Sequence, residues 1–170
     1  MDQKLHDKRL SLAQLLGAAI MKMYPETKRT IGPAIDDGFY FDFEFSTPIS
    51  EKDFPKIEKE MRKLLPSWKS FERSELTAEE AKKEYPGNEY KHELIDEFTK
   101  DGAKVSFYKS GHYWDLCKGG HVENPAAEIA ADSWKLDRVA GAYWRGDENN
   151  KMLTRIYALA FDTKEEPDKH

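Results

Sequence analysis

The segment FYFDFEF at positions 39–45 constrains the fold more than any other part of the chain. From Phe41 onward, apolar and acidic residues alternate, which predicts a strand with one buried face and one solvated face. Residues 4–24 instead repeat apolar side chains at three- and four-residue spacing, which predicts a helix that ends at Pro25. The chain therefore combines helices with strands.

Further helices and strands follow without strict alternation. We predict helices at 50–65, with Ser50 as N-cap, at a short segment opened by a capping box at Thr77, and at 89–98. We predict extended segments at 69–76, 103–109, 112–117, 133–136, 142–145 and 155–161. This mixture predicts an α+β fold with a mostly antiparallel sheet, flanking helices and two lobes around a cleft.

The length of 170 residues fits one ordinary domain. We predict that it occupies 1–162, with 47–100 as an optional smaller lobe, and that a charged tail at 163–170 frays and marks a truncation point. The single cysteine excludes an internal disulfide framework. No run approaches the roughly 18 apolar residues of a membrane span, and residues 1–25 lack a signal-peptide pattern. We therefore expect a cytoplasmic protein without a membrane partner.

Net charge is −5, so the overall balance does not indicate a nucleic-acid binder. The 27 lysines and arginines still leave room for a local basic patch. Charge alone therefore weakens a nucleic-acid function without excluding it.

Cys117 and His121 are the most suggestive pair of reactive side chains. They lie four apart across Gly119 and Gly120, a turn that could bring thiol and imidazole together. A zinc site needs at least three protein ligands, and no other histidines pair at helical spacing. We therefore predict no metal and no cofactor. The plainer interpretation is a buried Cys117 that acts as a small apolar side chain beside a hydrogen-bonded histidine.

Other candidates are weaker when the local sequence is considered alone. Lys91 lies on a charged helix, where lysine is usually solvated. Asp115 stands between Trp114 and Leu116 and needs donor partners if it faces inward. The segment AGAYWRGD at 140–147, which contains Arg145, could stack a base, although core packing is the more common role.

Three blocks of the chain together resemble the editing domain of threonyl-tRNA synthetases. The blocks are LLGAA at 15–19 continuing to IGPAIDDGFYFD at 31–42, DLCKGGHV at 115–122, and AGAYWRGD at 140–147 continuing through NNKML to RIY at 155–157. Their order and spacing match over almost the whole chain. Editing domains of alanyl-tRNA synthetases share the fold but not these long strings.

The resemblance implies hydrolysis of serine wrongly esterified to tRNA(Thr), so the expected partner is the tRNA 3′ end that carries serine. It implies that the catalytic group consists of Lys91, Asp115, Cys117 and His121. We further expect substrate contacts from Tyr40, Phe41, Gly119, Gly120 and Arg145. Lys91 would stabilise the oxyanion or hold the seryl group, and Asp115 would orient the substrate amine or His121.

The resemblance fails at the first helix, where the wider superfamily has His-x-x-x-His. The two positions fall at Leu10 and Gln14, and neither side chain can act as an acid or base. Gly120 also stands where the family usually has proline. Replacement by engineering, natural decay of the site, and slow hydrolysis by the remaining groups all stay open. So does a role as a tRNA-contacting spacer without chemistry.

The chain lacks the ATP-binding motifs of a class II synthetase core. We therefore expect either an excised domain, whose partners would be the remaining synthetase domains, or a short free-standing relative. The main alternative function is a catalytically inactive tRNA-binding module. A metal-dependent hydrolase acting on another substrate is disfavoured by the number of ligands.

Overall fold

The computed structural model describes residues 3–161, so the predicted tail at 163–170 lies outside the described residues. The α-helices are α1 Gln3–Met23, α2 Phe54–Leu64, α3 Ala78–Lys83, α4 Glu89–Phe98 and α5 Pro125–Glu128. The strands are β1 Lys28–Arg29, β2 Ala34–Ile35, β3 Gly38–Glu44, β4 Glu72–Leu76, β5 Val105–Ser110, β6 Tyr113–Leu116, β7 Trp134–Tyr143 and β8 Met152–Ala160.

The strands form two sheets. A five-stranded sheet has the order β1-β3-β8-β7, with β2 paired to β3, and a three-stranded sheet has the order β4-β5-β6. Every strand pair is antiparallel, which confirms the predicted α+β class. The division into two lobes, and the smaller lobe at 47–100, stay predictions.

The main core lies between helices α1 and α2 and the five-stranded sheet. Leu12, Leu15 and Leu16 of α1 are fully buried there with Phe39 and Phe43 of β3. The alternation at 39–45 therefore has the predicted effect, because the phenylalanines at odd positions face the helices. A second core joins α3, α4 and β5 through Ala81, Tyr85, Ile95, Val105 and Phe107.

Several element boundaries differ from the sequence predictions. Residues 133–136 and 142–145 were predicted as separate extended pieces, but a single strand, β7, runs through 134–143 with a register shift between Leu136 and Arg138. The sequence did not predict helix α5, which Asn124 caps. Ser50 does act as an N-cap, although for the 3₁₀ turn Glu51–Asp53 that precedes α2. None of the described helices has the length and apolar character needed to cross a bilayer.

Candidate active site

A cleft of about 260 Å³ lies between α1, β3, α4 and the end of β6. Its walls include many of the predicted site residues: Leu10, Gln14, Phe41, Lys91, Asp115, Cys117 and Gly119. Segment 30–33, which follows β1, contributes a further wall. The fold therefore gathers residues that are more than 100 positions apart into one site.

Lys91 and Asp115 form a buried ion pair at this cleft. Lys91 lies in the first turn of α4, where its backbone N–H donates to the Asn88 side chain that caps the helix. Its Nζ lies 3.2 Å from Asp115 Oδ1, and the two side chains are only 2% and 1% exposed. The expectation of a solvated lysine, drawn from the local sequence, is therefore wrong.

Three side chains that the sequence did not indicate surround the pair. The Tyr85 hydroxyl donates to Asp115 Oδ1, and the Tyr113 hydroxyl donates to Asp115 Oδ2 at 2.9 Å. Arg29 of β1 donates to the Tyr113 hydroxyl at 2.8 Å and lies 3.5 Å from Asp115 Oδ1. Tyr113 could have been recognised, because residues two apart on a strand share a face. Arg29 and Tyr85 come from distant segments and carry no local signal.

Burial and charge act on the pKa values of this cluster in opposite directions. Burial and the neighbouring Arg29 lower the pKa of Lys91, and the attraction of Asp115 opposes them. Burial alone would raise the pKa of Asp115, but Arg29, Lys91 and the tyrosine hydroxyls lower it overall. Asp115 is therefore ionised at neutral pH and holds the Lys91 nitrogen in place.

Cys117 and His121 are in direct contact, as their spacing suggested. The His121 Nε2 lies 3.1 Å from Cys117 Sγ, and Nδ1 lies 3.4 Å from the Ser11 hydroxyl. That hydroxyl already donates to the Asp7 carbonyl oxygen at 2.8 Å, so it can only accept from the ring. This assigns the ring proton to Nδ1 and leaves Nε2 to accept from the Cys117 thiol.

The Cys117–His121 pair is neutral. Burial lowers the pKa of His121 to about 4, and burial also raises the pKa of the Cys117 thiol. The imidazole stacks on Phe71, with ring centroids 4.3 Å apart. A reactive cysteine needs its thiolate form, so this environment suits a hydrogen-bonded structural pair better than a nucleophile.

The two positions of the degenerate motif both border the cleft. Leu10 is partly buried, whereas Gln14 is 6% exposed. The Gln14 Oε1 is buried and has no partner among the described residues. This helix face therefore presents one apolar and one amide group to the cleft.

Other predicted site residues lie outside the lining of the cleft. Tyr40 points to the opposite face of β3 from Phe41, and Arg155 lies over its ring at 3.8 Å. Arg145 is exposed and pairs with Glu93 and Glu97 of α4, each at 2.7 Å. The structure therefore does not bring Tyr40 or Arg145 to the cleft that contains Lys91.

Gly120 also lies outside the lining, in the turn that leads to His121. Its φ of +85° is in a region that proline cannot adopt, and an added Cβ would approach Leu10 Cδ1 to 3.0 Å. The turn therefore has a shape that this glycine permits and a proline would not.

No three His, Cys, Asp or Glu side chains within residues 3–161 are grouped so that they could hold a metal ion. Cys117 and His121 contact each other, and two ligands fall short of a zinc site. The absence of a metal or cofactor remains a prediction.

Comparison with known proteins identifies the type of domain. Residues 105–157 match the family described as "Threonyl and Alanyl tRNA synthetase second additional domain". Over 166 residues, or 96% of this chain, it is 48% identical to a threonine–tRNA ligase of Gloeobacter violaceus. The chain is a relative of threonine–tRNA ligases and contains this second additional domain at 105–157. The resemblance inferred from the three sequence blocks is therefore confirmed.

Other relatives of this second additional domain show similar agreement. The threonine–tRNA ligase of Rubrobacter xylanophilus is 47% identical over 93% of the chain. That of Borrelia garinii subsp. bavariensis is 43% identical over 95% of it. The chain spans only 26%, 24% and 28% of the three relatives, respectively.

Proposed function

We propose that this domain binds the 3′ end of tRNA(Thr) carrying serine in the cleft and hydrolyses the ester. Water oxygen would bond to the carbonyl carbon, the bond from that carbon to the terminal ribose oxygen would break, and the ribose oxygen would take a proton. The products are serine and tRNA with a free hydroxyl. The observation that carries this proposal is the buried Lys91–Asp115 pair at the wall of the cleft.

Lys91 is the residue proposed to stabilise the transition state. When water attacks an ester, negative charge develops on the carbonyl oxygen, and a fixed N–H donor in a shielded site stabilises that charge. Asp115 limits the positions open to the Lys91 nitrogen, so little reorganisation is needed during the reaction. Asp115 contacts Lys91 and not His121, which favours a positioning role for Asp115 toward the lysine.

His121 is the remaining candidate for handling protons, and its surroundings make it a weak one. Both ring nitrogens have partners, Ser11 and Cys117. Leu10 and Gln14, which line the cleft, supply no acid or base. A missing general acid–base group typically costs about 10²–10⁴-fold in rate. We therefore propose hydrolysis that is slow compared with a domain that keeps histidines at both positions.

The size of the cleft supports a small substrate group. At about 260 Å³, it is slightly below the usual range for ligand pockets of about 300–1,000 Å³. Serine and threonine differ by one methyl group, and a single binding site separates such pairs by only about 10–200-fold. A second, tighter site that excludes the methyl group raises the overall accuracy. In this proposal the second site is the cleft beside Lys91.

A second candidate function is a tRNA-binding module without chemistry. Leu10 and Gln14 favour it, because both positions border the cleft and neither can transfer a proton. In either case we propose that the domain works without a metal or cofactor, in the cytoplasm, and together with the remaining domains of a synthetase.

The deciding experiment is deacylation of Ser-tRNA(Thr) with the protein in excess. We expect slow serine release above the buffer rate, lost in Lys91→Met and retained in the matched variant Lys63→Ala on the exposed side of α2. Thr-tRNA(Thr) should remain intact. The double variant Leu10→His with Gln14→His should accelerate release.

No release by the protein with Leu10 and Gln14, with release recovered in the double variant, would support the binding module instead. No release by either protein would remove the proposed chemistry altogether.

A further inference from the structure

Gln14 lines the cleft and has a hydrogen-bond acceptor that no described residue uses. The side chain lies on α1 and is 6% exposed, and its Oε1 has no partner among the described residues. Gln14 and Cys117 both line the cleft. A donor on a bound ligand would satisfy the unpartnered Oε1.

The other polar group expected to bind a substrate amine, Asp115, already has donors on both carboxylate oxygens. Its Oδ1 accepts from the Tyr85 hydroxyl and from Leu116 N–H, and it also faces Lys91. Its Oδ2 accepts from Tyr113. With 1% of its side chain exposed, Asp115 has little room for a further donor. This argues against the expectation that Asp115 binds the amine.

We propose that Gln14 Oε1 accepts a hydrogen bond from the α-amine of an aminoacyl ester bound in the cleft. The inference rests on the proposed function and assigns its substrate-positioning residue. Lys91 and Gln14 both line the cleft. In the proposed function Lys91 donates to the ester carbonyl, and the α-amine is attached to the carbon next to that carbonyl. The amine carries N–H donors whether or not it is protonated, so a neutral amide oxygen suits it in both states.

Two non-hydrolysable probes test this assignment on the protein as it stands. The first is the amide of serine with 3′-amino-3′-deoxyadenosine, and the second is the same molecule with hydrogen in place of the α-amine. Calorimetry measures the binding of both probes to three proteins: the unsubstituted protein, Gln14→Met and Gln14→Glu. The methionine keeps the side-chain length but has no amide oxygen, and the glutamate keeps an acceptor.

We expect Gln14→Met to weaken binding of the seryl probe about tenfold, the loss expected for one hydrogen bond. Binding of the probe without the amine should not change, and Gln14→Glu should restore the seryl probe. Equal losses for both probes, or no loss for either, would overturn the role of Gln14 while leaving the proposed function intact. If neither probe binds to the unsubstituted protein, the proposed function fails and this inference fails with it.

A second measurement covers the case in which Gln14→Met does not fold. The side-chain amide resonances of Gln14 in the unsubstituted protein are followed by ¹⁵N NMR during titration with each probe. A shift with the seryl probe alone supports the assignment. The same shift with both probes, or no shift with a bound seryl probe, contradicts it.

Discussion

The Lys91 ammonium lies 3.2 Å from Asp115 Oδ1, and both side chains are almost completely shielded from solvent. Removing one partner of a buried ion pair leaves an uncompensated charge, which typically costs about 3–5 kcal/mol. We expect Asp115→Asn to lower the free energy of unfolding by that amount in urea denaturation. The matched control Asp96→Asn removes an exposed partner of Lys82 and should cost below about 1 kcal/mol. Equal costs would show that the buried pair does not stabilise the fold.

His121 should make stability depend on pH between neutrality and about pH 4. Burial lowers its pKa from 6.5 to about 4, so the unfolded chain takes up a proton at a higher pH than the folded chain does. The stabilising contribution is complete above pH 6.5 and is lost as pH falls toward 4. The slope can reach about 1.4 kcal/mol per pH unit. Urea denaturation at pH 7.5, 6 and 5 should reveal it, and His121→Gln should remove it. An unchanged slope in that variant would assign the effect to other groups.

Ser11 should stabilise both the His121 ring and the backbone at Val122 through its hydroxyl. Its hydroxyl accepts from Val122 N–H at 3.1 Å in a buried environment. Ser11→Ala leaves that N–H without a partner, which costs about 1–3 kcal/mol. In ¹⁵N NMR the variant should also lose the preference for a proton on Nδ1 of His121. Ser67→Ala, which removes an exposed hydroxyl, should cost about 0.5 kcal/mol or less. A tautomer that stays the same in Ser11→Ala would refute the hydrogen-bond assignment.

Gly38 should be intolerant of any side chain. A Cβ at this position would lie 1.8 Å from the Ala158 carbonyl oxygen, so β3 and β8 would have to separate. We expect Gly38→Ala to destabilise by about 2 kcal/mol or more. Gly87→Asn is the control, because nothing lies within 4 Å and asparagine tolerates the φ of +75°. Similar melting temperatures for the two variants would contradict the close approach of the strands.

The sequence predicts the parts of the fold that depend on local patterns. The repeat of leucines before Pro25, the alternation from Phe41 and the capping box at Thr77 all produce the predicted elements. The sequence does not predict the central part of strand β7. The charged pair Asp137–Arg138 and the small residues that follow do not form a strand pattern. Its pairing with β8 maintains it there.

The site likewise contains residues that the sequence indicates and residues that only the tertiary structure brings in. Spacing suggests the Cys117–His121 contact, and the resemblance identifies Lys91 and Asp115. Arg29 and Tyr85 reach Asp115 only through tertiary folding. Their roles therefore depend on long-range geometry that no local window contains.

The contacts of Asp115 also connect the two sheets. Arg29 belongs to the five-stranded sheet, Asp115 belongs to the three-stranded sheet, and Lys91 comes from the helix beside them. The Asp115 carboxylate thus joins both sheets and helix α4 through its ion pairs. The cleft lies next to these contacts. Widening it for a larger ligand would separate the buried charges of Asp115, Lys91 and Arg29. The same ion pairs would then limit the size of the ligand and stabilise the domain, so a substitution that weakens them would change both properties.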